Sequence, residues 1–236
     1  MPRLAVVAGT TLLDVDLARD ARRREVATPW GGASVLDAGD HLRLQRHGLD
    51  RYVAPHAIRH RANLAALAEL GADRVLAIGS VGSLRREIEV GSLIAPHDFV
   101  ALQLGTSLSN GAEGHRVPGF DGAWRSKVIA AWKDAGEPLG DGGIYWQAIG
   151  PRLETPAEIR MIAAHADMIG MTLASECVIA GELGLAYAAV CTVDNLANGV
   201  GDAPLTLEEV EAGRRATRDR VLAALRTVLP AVEGTR

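Results

Sequence analysis

The residues best suited to chemistry fall between positions 150 and 202, where three polar turns each follow a run that reads as a strand. The first turn sets Arg152, Glu154 and Thr155 beside Gly150-Pro151. The second sets Met171 and Thr172 where an apolar run ends and a helical pattern opens at Ser175-Glu176. The third closes the run AYAAVCTV with Asp194 and Asn195, just ahead of Gly199 and Gly201. In an open α/β sheet, ligands collect outside the carboxyl ends of the strands, so these turns form a candidate site. Taken singly, each is more simply read as ordinary loop polarity.

Three further stretches suit an anion. LAVVAG (4–9) reads as a buried strand that runs into Gly9-Thr10-Thr11, and VLAIGSVGS (75–83) opens into Gly79, Ser80 and Gly82. Small side chains at such places let backbone N–H groups and hydroxyls face a phosphate, although a tight turn without a ligand is the plainer reading. HLRLQRHG (41–48) alternates like a half-buried strand and delivers Arg46 and His47 at its end. Arg offers a planar fork to an oxyanion and His a donor, against the alternative of a solvated strand end.

The elements that would position these residues alternate between strand and helix. Helices are expected over 57–70, 122–135, 156–166, 174–183 and 206–229, and strands over 92–103, 142–150, 168–171 and 186–193. The clearest helix start is Thr155-Pro156-x-Glu158, with a cap, a proline in the first turn and a glutamate three residues on. Residues 16–32 are polar and Arg-rich, then Gly-rich, and read as a loop or short helix. The segment 104–120, rich in Gly and Ser, reads as a long loop with His115 and Phe120 as its recognition-type residues. Alternation with short links predicts an α/β fold with a mostly parallel sheet, in one domain over 1–236.

Composition narrows the partners. The chain has 236 residues, 48% hydrophobic and 23% charged, and a net charge of −4, which argues against nucleic acid as the main partner. Cys177 and Cys191 lie in apolar stretches without C-x-x-C spacing and read as buried thiols of a reducing compartment. His56 and His60 have no acid or cysteine spaced to join them, so no metal site is expected. With no run approaching the ~20 apolar residues of a membrane span, a cytoplasmic protein is expected.

The ordered set of these pieces resembles the trimeric purine nucleoside phosphorylase and methylthioadenosine phosphorylase family. The resemblance runs through Gly9-Thr10, Arg46-His47-Gly48, the Pro55 to Asn63 helix entry, and Gly79-Ser80-Val81-Gly82-Ser83-Leu84. It continues through GPRLETPAE (150–158), GMT (170–172) and Asn195. It implies a mixed, partly barrel-like central sheet flanked by helices, a homotrimer, and sites near subunit interfaces. It also implies attack of phosphate, a co-substrate, on C1′ of a purine nucleoside, with no separate cofactor. By resemblance, Thr10, Arg46, His47, Thr172 and the backbone at Ser80 hold phosphate. Met171 packs on the ribose, and His115 belongs to the loop that reaches a neighbouring subunit's sugar site.

The same resemblance bears on specificity. The residue 24 positions after the ribose methionine is Asp in adenine-selective members and Asn in 6-oxopurine members, and here it is Asn195. Glu154 occupies the glutamate position of the 6-oxopurine members. A carboxylate accepts from N1–H of hypoxanthine or guanine, and an amide donates to O6 and meets N7, whereas adenine would leave the pair unmatched. Two departures stand out: Asp194 replaces the usual Thr, and Leu153 replaces an aromatic residue. Where inosine-selective members place a His, this chain has the apolar Pro204-Leu205-Thr206-Leu207, so Leu207, with Leu205, is expected beside an apolar 5′ group, unless the two leucines merely pack the last helix against the sheet. The reading that results is S-methyl-5′-thioinosine phosphorolysis. The alternatives are a methylthioadenosine phosphorylase, resting on Asp194, a general inosine/guanosine phosphorylase, and a non-catalytic purine-binding protein.

Overall fold

The computed structural model of the protein describes residues 3–13, 15–16 and 19–233. Strand β1 (Leu4–Ala8) ends in a 3-10 turn at Thr10–Leu12, followed by β2 (Arg22–Thr28), β3 (Gly31–Asp37) and β4 (His41–Gln45). Helix α1 (His60–Glu69) leads into the long β5 (Arg74–Ser83), then β6 (Leu93–Ala95) and β7 (Asp98–Val100). Helix α2 (Gly122–Asp134) precedes β8 (Gly140–Asp141) and β9 (Ile144–Gln147). The chain continues through α3 (Pro156–Ile162), β10 (Met168–Gly170), α4 (Leu173–Glu182), β11 (Ala186–Leu196) and α5 (Leu207–Glu233).

These strands join one mixed sheet with β5 at its branch point. β5 runs parallel to β1 over Arg74–Ala77 and parallel to β11 along its whole length, while its last residues, Gly82 and Ser83, pair antiparallel with β10. The apolar runs of β1 and β5 are continuous because both faces are covered. Ala5, Val7, Val75 and Ala77 pack with Leu64 and Leu67 of α1 and Cys177 of α4. Leu4, Val6, Leu76 and Ile78 pack with Trp124 and Trp132 of α2 and Val221 and Val228 of α5. Alternate residues of one strand thus feed two separate cores, as the two-residue period of a strand requires.

Several expectations change. Residues 16–32 contain no helix among those described; β2 and β3 form an antiparallel hairpin at the sheet's edge. β2 is mostly exposed and charged, with Arg23 held by Asp50 and Glu25, so it lacks the apolar alternation that marks a half-buried strand. The first helix begins at His60, after a 3-10 turn at Pro55–Ala57. The run 92–103 is split at Pro96-His97, because proline has no N–H for the ladder: β6 pairs with β11 and β7 with β9. β5 and β11 extend further than expected, so Ser80, Asp194 and Asn195 sit within strands, with a register shift between Val193 and Asn195. At α3 the expected capping box forms, Glu158 N donating to the Thr155 hydroxyl and Thr155 N to the Glu158 carboxylate. Cys177 and Cys191 are both buried free thiols. No described helix is long and apolar enough to cross a membrane.

Candidate active site

The strands around β5 deliver their carboxyl ends to one cavity. Thr10 follows β1, Arg46 and His47 follow β4, Ser80 lies in β5, Met171 and Thr172 follow β10, and Asn195 lies near the end of β11. These residues line the cavity together with Glu154 from the turn before α3. Eight of the ten residues to which the resemblance gives a site role therefore meet in one place.

The two exceptions are Leu207 and His115. Leu207 is 68% exposed as the first residue of α5 and does not line the cavity. Leu205 and Val210 line it instead, because the segment entering α5 turns its apolar side inward two residues earlier. His115 is exposed, and its loop is fastened to α4 by Ser107 and Leu108 donating to the Glu182 carboxylate and by Arg116 donating to the Gly181 carbonyl. The loop contributes nothing to this chain's own cavity.

Arg46 is 3% exposed and its fork is already engaged. Nε and Nη2 donate to Glu176 at 2.6 Å and 3.0 Å, and Nη1 donates to the Ile78 carbonyl at 2.7 Å. Glu176 also accepts from the Tyr187 hydroxyl at 2.7 Å. The guanidinium presses so closely on the chain that a Cβ at Gly9 would lie 2.4 Å from Nη1, so glycine is required there. Arg46 is thus held rigidly at the cavity wall, its charge offset by Glu176 rather than spread in solvent.

His47 stacks on Tyr52 with ring centroids 5.3 Å apart, and its Nδ1 lies 2.9 Å from the Val53 carbonyl. A carbonyl only accepts, so Nδ1 carries the proton. Burial lowers the imidazole pKa to about 4, which leaves the ring neutral with Nε2 as an acceptor. Thr172 is the N-cap residue of α4 but makes no capping bond with its side chain. The N–H groups of Thr172 and Leu173 donate instead to the Tyr145 hydroxyl, and that of Ser175 to Gln147. The Thr172 hydroxyl is thereby relieved of capping and left to the cavity.

On the carboxylate and amide side, burial raises the pKa of Glu154. Asn195 Nδ2 donates to the Leu196 carbonyl at 2.8 Å. Asp194, its neighbour, does not line this cavity; it is 1% exposed and accepts from the Ser80 hydroxyl and, at 3.5 Å, from Thr217 of α5. Asn195, not Asp194, faces the site. Sequence reasoning missed Tyr52 and Asn198. Asn198 donates to the Glu154 carbonyl at 3.0 Å and accepts from Leu205 N at 3.4 Å, so it ties two cavity walls together. Its signal was present in Asn195-Leu196-Ala197-Asn198, two amides three residues apart. Among the described residues no cluster could hold a metal ion.

The α/β sheet thus gathers hydroxyls, a buried arginine, a carboxylate and an amide at one set of strand ends. The chain belongs to the Phosphorylase superfamily, whose model matches residues 5–230. It is 41% identical over 212 residues to a probable 6-oxopurine nucleoside phosphorylase of Archaeoglobus fulgidus, covering 88% of this chain and 87% of that one. It is 36% identical over 225 residues to a probable S-methyl-5′-thioinosine phosphorylase of Xanthomonas campestris, covering 88% and 89%. Methylthioadenosine phosphorylase from Schistosoma mansoni, solved with adenine, shares the fold with a TM-score of 0.88 at 21% identity, covering 100% of this chain and 93% of that one.

Proposed function

We propose that the protein is a purine nucleoside phosphorylase, a pentosyltransferase that splits a 6-oxopurine nucleoside with inorganic phosphate, and that S-methyl-5′-thioinosine is its preferred substrate. The observation that carries this reading is the meeting of Thr10, Arg46, His47 and Thr172 with Glu154 and Asn195 in one cavity, while Asp194 is turned into the protein.

A phosphate oxygen attacks C1′ as the C1′–N9 bond breaks, the sugar passing through a state with oxocarbenium character. The purine takes the bonding electrons, and a hydrogen bond donated by the Asn195 amide stabilises that charge where it develops. Glu154, with its raised pKa, also accepts from or shares a proton with N1 of the base. Thr10 and Thr172 hold the phosphate beside Arg46, whose fork is taken up by Glu176 rather than offered to the anion, and Met171 packs against the ribose. Holding both reactants in one cavity removes much of the entropic barrier to their encounter. The 5′ group is assigned to the apolar wall of Leu205 and Val210, and this favours a methylthio over a hydroxyl substituent. The relatives named for 6-oxopurine nucleosides and for methylthioinosine support the same base preference. A homotrimer in the cytoplasm, with His115 entering a neighbour's sugar site, completes the reading.

The test is release of base from methylthioinosine, inosine, guanosine and methylthioadenosine, each with and without phosphate. The expected result is rapid phosphate-dependent hypoxanthine release from methylthioinosine and little adenine from methylthioadenosine. Adenine as the main product would overturn the base assignment. Release without phosphate, or no release at all, would overturn the phosphorylase reading.

A further inference from the structure

We propose that Asp194 fixes the hydrogen-bond polarity of Ser80, and that the anion site therefore selects an oxyanion that carries a proton, such as hydrogen phosphate, over one that carries none, such as sulfate. The inference rests on the assignment of Thr10, Arg46, His47, Ser80 and Thr172 as the phosphate site.

Ser80 has one hydroxyl hydrogen, and it is donated to the Asp194 carboxylate. Ser80 keeps part of its surface open to the cavity, where its oxygen then offers only lone pairs. His47 reaches the same state by another route, its Nδ1–H being spent on the Val53 carbonyl so that Nε2 also only accepts. Two side chains of the anion site are thus acceptors, alongside the hydroxyl donors Thr10 and Thr172. A fully deprotonated oxyanion meets lone pairs at both places, whereas hydrogen phosphate donates its P–OH to one of them. The discrimination follows from leaving buried acceptors unmatched, which costs more than a matched pair gains.

Asp194 holds this arrangement because it is 1% exposed and packed against α5. Thr217 of α5 donates to its other oxygen, and its own backbone carbonyl lies so close to α5 that a Cβ at Gly213 would stand 1.7 Å from it. The charged and titratable groups facing it are Arg214 of α5, which also donates to the Thr10 carbonyl, and the buried thiol of Cys191 on its own strand. Asp202 and Glu209 border the cleft behind it, the first paired with Arg86 and the second capping the start of α5 through Thr206. Burial raises the pKa of Asp194 to about 6, with the bonds from Ser80, Thr192 and Thr217 and the charge of Arg214 opposing the rise. Once protonated, the carboxyl donates to Ser80, and the serine proton is released to the cavity. The polarity of Ser80 therefore reverses as the pH falls through about 6, while His47 Nε2 remains an acceptor.

Sulfate is the probe, because it carries no proton anywhere near that pH. Its inhibition constant against phosphate is measured from pH 5.5 to 8 in the wild type, in Asp194→Asn and in Ser80→Ala, with methylthioinosine and with inosine as nucleoside. In the wild type, sulfate inhibition is expected to strengthen on the order of tenfold as pH falls through 6. In Asp194→Asn the constant is expected to be flat over this range, and in Ser80→Ala the dependence disappears. A wild-type constant that does not change with pH overturns the proposal, and needs no variant to fold. Persistence of the pH dependence in Ser80→Ala also overturns it, since charge alone would then be acting. Absence of phosphate-dependent base release in the wild type would instead sink the phosphorylase reading beneath it.

Discussion

Arg46 and Glu176 face each other in a two-pronged ion pair, Nε to Oε1 at 2.6 Å and Nη2 to Oε2 at 3.0 Å, with each side chain 1% exposed. The pair joins the end of β4 to the first turns of α4 and so fixes two walls of the cavity at once. Removing one member strands the other as a buried, unmatched charge. Glu176→Ala and Arg46→Ala should each destabilise the protein by about 3–5 kcal/mol, while the double variant costs clearly less than their sum. Urea unfolding of the four proteins checks this, and additive costs would mean the pair is not coupled.

Asn195 and Asp194 are adjacent in sequence and opposite in use. Asn195→Asp places a second carboxylate in the cavity beside Glu154 and removes the amide donor. Hypoxanthine release should fall on the order of 10²-fold in kcat/KM, and adenine release from methylthioadenosine should rise relative to it. Unchanged relative rates for the two bases would remove Asn195 as the base reader.

Leu205 lines the cavity and Leu207 does not. Leu205→Ser should lower the ratio of methylthioinosine to inosine kcat/KM on the order of tenfold, because an apolar pocket gains roughly 1–3 kcal/mol from a matching apolar group. Leu207→Ser, at an exposed position, should leave that ratio unchanged. Equal effects of the two substitutions would return the 5′ wall to Leu207.

What was legible in the sequence follows from which signals are local. β1 and β5 could be read because burial on both faces leaves an unbroken apolar run, and α3 because its capping box is complete within four residues. Thr10 and Ser80 stood out because they sit at or near the ends of those same strands. β2 was missed because an edge strand can be charged and exposed yet still paired, and its partner's pattern does not show in its own residues. The Arg46–Glu176 pair spans 130 positions, and no spacing rule connects residues so far apart. Leu205 and Leu207 are told apart only by the path of the segment that enters α5, which sterics at Gly213 help to set.

The pairing of β5 has a consequence for how the molecule is made. Arg74 stands opposite Leu4 on one side and opposite Ala186 on the other, so the central strand draws its neighbours from both halves of the chain. Contacts of such long sequence separation slow folding, because a large loop must close before they form. During synthesis, β1, β4 and β5 emerge well before β11, leaving one edge of β5 apolar and unpaired until it arrives. An unpaired strand edge exposed during that interval is a template for aggregation. Asn195 and Asp194 travel on that late strand, so a chain cannot acquire a working cavity before its aggregation-prone edge has been covered.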